Sequence, residues 1–246
     1  GHSHLLASTI PNCVSYDPTF GFEVVVIIQD GIRRMYENNE NVYYYVTVMN
    51  ENYTQPEMPK GAEEGIRKGM YLLKQIDASK KSARVQLMGS GTILREVIAA
   101  AELLQKDFDI ASDIWSATSF TELGRDGMAC ERWNRMHPEA APRLPFVAQC
   151  LEKRSGPVIA ASDYMRAFPE QIRSNISQKF VTLGTDGFGR SDTRANLREF
   201  FEVNRHHVVI ASLKALADEG TIDKKKVSEA IKKYGVNIEK AVPWVA

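Results

Sequence analysis

RVQLMGSGTILREVIAAAELL, residues 84–104, is the stretch from which the fold is read. Its apolar residues Val85, Leu87 and Met88 run into Gly89-Ser90-Gly91, the signature of a strand closing on a tight turn. Then the period lengthens. Ile93, Val97, Ala100, Ala101 and Leu104 recur at helical steps, with Thr92 placed to cap the helix. The alternation continues downstream: strands are expected at 110–116, 157–162 and 180–184, and helices at 164–174, 193–201, 204–219 and 223–234. Strands alternating with helices predict an α/β fold built on a mainly parallel sheet.

Upstream the reading is less regular. Asp17-Pro18 has the form of a helix opening, and Phe20, Val24, Ile27, Ile28, Ile32, Met35 and Tyr36 keep a helical stripe behind it. Residues 42–49, VYYYVTVM, are almost all β-branched or aromatic and predict a fully buried, parallel strand. Residues 50–61 are polar, with Pro56 and Pro59, and mark the end of one unit. Residues 61–76 fit either a short helix or an extended link.

Composition excludes several classes. In 246 residues, Lys plus Arg and Asp plus Glu both number 31, so no net charge draws the chain to nucleic acid or an anionic membrane. The three cysteines, Cys13, Cys130 and Cys150, are too far apart for a zinc or redox pair and fit a reducing cytoplasm. No apolar run approaches the roughly 20 residues of a membrane helix. The first residues lack the basic and apolar regions of a secretory signal.

Residue chemistry alone supplies no catalytic site. Gly89-x-Gly91 is a partial dinucleotide fingerprint with Leu94 in the third glycine position, and Asp113 is only loosely placed as its acidic partner; it is read as a structural turn. His2 and His4 would point oppositely on an extended segment, and His206 and His207 diverge on a helix, so neither pair suggests a shared ion. Both read as surface or partner-contact residues.

Longer blocks carry a resemblance. Leu183-Gly184-Thr185-Asp186-Gly187-Phe188-Gly189-Arg190-Ser191-Asp192 is similar to the turn after a strand in the last domain of transketolase-like enzymes, where Ser191 or Asp192 would cap the next helix. Gly1-His2-Ser3-His4, Ile10-Pro11-Asn12 and Tyr16-Asp17-Pro18 resemble the end of a pyrimidine-binding domain. Asn50-Glu51-Asn52-Tyr53, Pro59 to Gly69, Thr118 to Leu123 and Cys130 to Asn134 resemble the homodimeric bacterial pyruvate dehydrogenase decarboxylase family. The resemblance implies a remnant of a parallel-sheet pyrimidine-binding domain (1–60), a connector (61–83) and a transketolase C-terminal-like three-layer α/β domain (84–246).

It also implies the carboxy-terminal part of a thiamine-diphosphate enzyme that decarboxylates pyruvate and acetylates lipoyl groups. The full-length enzyme would use thiamine diphosphate and magnesium. Neither the family's activating glutamate nor its G-D-G…N motif occurs here, and Glu23 lies past the matching position. No cofactor is therefore expected on this chain alone. His4 is the one residue that matches a position at the mouth of the family's cofactor cleft. Substrate contact or proton transfer is the implied role, with a purely structural imidazole as the alternative. Implied partners are a second copy and the dihydrolipoyl acetyltransferase core, with no nucleic acid and no membrane. A non-enzymatic dimerisation or docking module is the runner-up. A sugar-phosphate enzyme using Arg125, Arg132 and Arg143 ranks below it, and a nucleotide site at Gly89–Gly91 last.

Overall fold

A computed structural model describes residues 1–80 and 82–245. The first unit carries α1 (Ser3–Ser8), β1 (Cys13–Tyr16), α2 (Gly21–Ile32) and β2 (Tyr43–Val46), with β1 and β2 paired in parallel. The remainder carries α3 (Glu63–Lys68), β3 (Tyr71–Ile76), β4 (Arg84–Gly89), α4 (Leu94–Phe108), β5 (Ala111–Ser116), α5 (Phe120–Met136) and α6 (Phe146–Leu151). It continues through β6 (Val158–Ala161), α7 (Ala167–Glu170), β7 (Phe180–Leu183), α8 (Arg194–Phe200), α9 (Arg205–Asp218) and α10 (Lys225–Lys233).

The five-stranded sheet has the order β3-β5-β4-β6-β7, parallel throughout except for β3, which runs against β5. Alternation along the strands divides the core. Val85, Leu87, Ile114 and Ile159 face α4 and α9, where Val97, Ala101, Leu104, Val209 and Leu213 are fully buried. Met88, Trp115, Val158 and Ala160 face α5, α6 and α7 through Phe120, Leu123, Val147, Leu151 and Phe168. The result is the three-layer α/β arrangement expected from the sequence.

Several expectations are corrected. The helix after Asp17-Pro18 begins only at Gly21, because the Asp17 carboxylate is used elsewhere, and Glu23 Oε2 instead accepts the Thr19 and Phe20 amides at its start. The strand at 42–49 shortens to β2 and is not fully buried: it lies at a sheet edge, with Tyr43 and Val48 exposed. The undecided 61–76 stretch holds a helix and the antiparallel strand β3. The expected helix at 164–174 is only α7 followed by a 3-10 turn at Arg173–Asn175. Thr92 lies inside a 3-10 turn rather than at a cap, and α8 is capped by Thr193, not by Ser191 or Asp192. The N-terminal segment carrying His2 and His4 is helical rather than extended.

Candidate functional site

In the five-stranded sheet the chain leaves β4 toward β5 on one side, while β6 and β7 lie on the other. The C-terminal ends of β4 and β6 therefore flank a topological switch point, the place where open α/β sheets leave a crevice. Ser90 follows β4 and Ser162 follows β6. The first unit plugs this crevice with Asp17. Ser90 Oγ donates to Asp17 Oδ2 at 2.8 Å, Thr47 Oγ1 donates to Asp17 Oδ1 at 2.7 Å, and the Gly91 amide donates to the Asp17 carbonyl at 3.0 Å. Thr19 Oγ1 returns a bond to the Gly91 carbonyl at 2.7 Å.

Gly91 is required here. Its φ is +46°, and a Cβ would meet both Asp17 carboxylate oxygens at 2.5 Å. Burial pushes the Asp17 carboxyl up to about 6, against the opposing hydrogen bonds from Thr47 and Ser90. A second buried carboxyl, Glu23, is raised by burial although Ser116, Phe20, Tyr71 and Thr19 all donate to it. Glu23 thereby ties α2 to β3 and β5.

His4 joins the same seam. With Thr47 donating to Asp17, the tautomer assigned to His4 donates from Nε2 to Thr47 Oγ1 at 3.2 Å, leaving the buried Nδ1 without a partner. The ring is wholly buried, stacked on Phe168 and edge-on to Tyr45 and Tyr164. Burial lowers its pKa to about 4, so it is neutral near pH 7.

The other residues raised by the sequence have structural employment. His206, half-buried, stacks on Tyr234, and His207, its side chain 10% exposed, bonds Asn204 Oδ1 through Nδ1, so the surface reading is corrected for His207. Asp113 is bound by Arg84, Gln86 and Gln75 within the sheet. Leu94 packs against Gly89, where a Cβ would come within 2.7 Å of Leu94 Cα. Arg125 holds the carbonyls of Cys13 and Ile10, and Arg143 lies over Trp133. Sequence reasoning did not connect Asp17, Thr47, Ser90 and Ser162, because residues 30 to 73 positions apart meet only once the crevice exists.

Beside the seam opens a cleft of about 620 Å³, lined by Glu51, Thr92, Asp163, Arg190, Arg194 and Arg198 among others. It joins residues 48–51 after β2, the ends of β4 and β6, and α8. Among the described residues, no group of three His, Cys, Asp or Glu side chains is arranged to hold a metal ion, and no helix is long and apolar enough to cross a membrane.

Residues 1–56 match the pyruvate dehydrogenase E1 component middle domain, and residues 69–204 match the transketolase-like TK C-terminal domain. The chain is 60% identical over 244 residues to the pyruvate dehydrogenase E1 component of Pseudomonas aeruginosa, covering 99% of this chain and 28% of that relative. It is 54% identical over 248 residues to the Escherichia coli K12 counterpart, covering 100% and 28%. The chain thus spans little more than a quarter of the length of these curated relatives. A crystal structure of transketolase from Pichia stipitis superposes with a TM-score of 0.58 at 15% identity, covering 89% of this chain and 27% of that one. Fold and sequence agree that the chain belongs to the transketolase-like C-terminal domain family.

Proposed function

We propose that this chain acts as the C-terminal part of a pyruvate dehydrogenase decarboxylating component, contributing a wall of a thiamine-diphosphate cleft rather than a complete active site. The observation that carries the reading is 60% identity over 244 residues to a protein named pyruvate dehydrogenase E1 component. The reaction is decarboxylation of pyruvate followed by acetyl transfer to a lipoyl group, with thiamine diphosphate supplying the carbanion-stabilising ring in the longer protein.

The residues present do not fit thiamine diphosphate with magnesium. The chain has no G-D-G…N sequence for the diphosphate and metal. Its two best-placed buried carboxyls are already engaged, Asp17 by Thr47 and Ser90, and Glu23 by four donors. Holding the cofactor is therefore assigned to parts of the longer protein outside this chain. What these residues do is structural: the seam fixes the first unit onto the switch-point end of the sheet, so both move as one wall.

Of the two roles open to His4, the structural one is favoured, because a buried, neutral imidazole packed by three aromatic rings has no open path to a substrate. We further propose a first unit at residues 1–60 and a C-terminal domain that takes in part of the stretch 61–83 read as a connector. Strand β3 belongs by pairing to the C-terminal sheet rather than to a connector.

Homodimer contact is proposed through Val25, Ile28, Ile32 and Tyr36, an exposed apolar stripe along α2 and the turn after it. Docking to the acetyltransferase core and a cytoplasmic location complete the reading; the three unpaired cysteines support the latter. Supplied with pyruvate, thiamine diphosphate and magnesium, the purified chain is expected to release no carbon dioxide above background. Turnover by the chain alone would overturn the reading as a partial site.

A further inference from the structure

The cleft beside the seam holds an unusual charge arrangement. One carboxylate, Glu51, faces three guanidinium groups: Arg95 Nη1 at 2.9 Å, Arg194 Nε at 3.6 Å and Arg198 Nη2 at 4.0 Å. Its Oε2, the oxygen nearest Arg194 and Arg198, is buried and accepts no hydrogen bond. A charge-assisted carboxylate–arginine bond brings nitrogen and oxygen to about 2.7–2.9 Å. Arg95 Nη1 reaches that distance from Oε1 without forming a hydrogen bond. Arg194 Nη2 donates to Asn50 Oδ1 and Arg198 to Thr92 and Glu96, which leaves Arg194 Nε with only its 3.6 Å contact to Oε2. Arg198 and Arg205 share a second carboxylate, Glu96. Arg190 stands at the cleft wall with its guanidinium over the Phe200 ring. Asp163 faces it from the end of β6, within reach of the Arg198 charge. Three arginines, Arg190, Arg194 and Arg198, and two carboxylates, Glu51 and Asp163, therefore line the cleft itself.

We propose that this cleft binds a small molecule bearing a phosphate group, with Arg194 and Arg198 taking the anion at the place Glu51 now holds loosely. A phosphate offers three acceptor oxygens and up to two charges, which satisfies planar guanidinium donors better than one shared carboxylate oxygen. Glu51 then acts as an internal competitor. Its displacement loosens residues 50 and 51 from Arg194 of α8. The volume of about 620 Å³ leaves room for a body beyond the phosphate, with Asp163 placed to accept hydrogen bonds from it.

Calorimetric titration of the chain with inorganic pyrophosphate, at ionic strength fixed with potassium chloride, tests this directly. Saturable binding is expected. Arg194→Gln is expected to weaken it about tenfold, and Glu51→Gln to strengthen it severalfold by removing the competing charge. Arg194 is largely exposed, so its replacement leaves the core intact, and unchanged melting temperatures confirm folding. Absence of saturable heat in both wild type and Glu51→Gln overturns the proposal. So does binding indifferent to Arg194→Gln, or weakened by Glu51→Gln.

Discussion

Asp17 and His4 sit two bonds apart in one buried chain, His4–Thr47–Asp17, and their titrations pull stability in opposite directions. The folded pKa of Asp17 is raised to about 6, so its contribution is present at low pH and is lost as pH climbs from about 4 through 6, a loss of about 3 kcal/mol. The folded pKa of His4 is lowered to about 4, so the stability from its neutral form is lost as pH falls from about 6.5 through 4. The two slopes overlap and mask each other in the wild type. Urea unfolding at pH 4 and pH 6.5 should expose them separately. Relative to wild type, Asp17→Asn gains ground as pH rises and His4→Leu gains ground as pH falls. Identical pH dependence in all three proteins would contradict the buried network. Gly91→Ala should cost about 2–4 kcal/mol in the same assay, since both the backbone angle and the Asp17 carboxylate oppose a side chain there. At this scale the sequence pointed to the glycine turn at 89–91 but not to its partner. Asp17 was read as a helix opener because Asp-Pro has that local meaning, and a long-range acceptor role leaves no local mark.

Helix α5 marks the limit of periodicity as a guide. It is seventeen residues long, yet its buried face mixes Phe120, Leu123, Gly124, Gly127 and Cys130, too small and varied to read as a stripe. The usable signal was at its start: Ser119 with Glu122 three residues on has the form of a capping box. Ser119 Oγ accepts from the Glu122 amide at 3.0 Å and donates to the Ser15 carbonyl at 2.6 Å, so one hydroxyl both caps α5 and pins β1. Ser119→Ala should therefore cost about 1–2 kcal/mol, more than an ordinary exposed cap. Hydrogen exchange should show the loss in β1 as well as in α5; a change confined to α5 would count against the pin. The strand at 42–49 was legible as a strand because β-branched and aromatic residues run unbroken there. Its burial was not legible, since burial depends on what lies beyond a sheet edge.

At the scale of the molecule, strand–helix alternation from residue 84 onward was enough to place β4, α4, β5, β6, β7, α9 and α10. The antiparallel β3 was missed because residues 71–76 carry no alternation that separates an edge strand from a link. The seam between the units was missed for the same reason as Asp17: it is made of polar groups whose pairing appears only in three dimensions. It is also what allows a first unit with a two-stranded sheet to stand on the C-terminal domain as one body, and it is the physical basis for treating the chain as a preformed wall. The most direct measurement is an exchange of parts. Replacing the matching segment of the Pseudomonas aeruginosa pyruvate dehydrogenase E1 component with this chain should leave pyruvate-dependent turnover within about tenfold of that enzyme, the difference equivalent to about 1.4 kcal/mol. A folded chimera of unchanged oligomeric state that binds thiamine diphosphate yet does not turn over pyruvate would contradict the account.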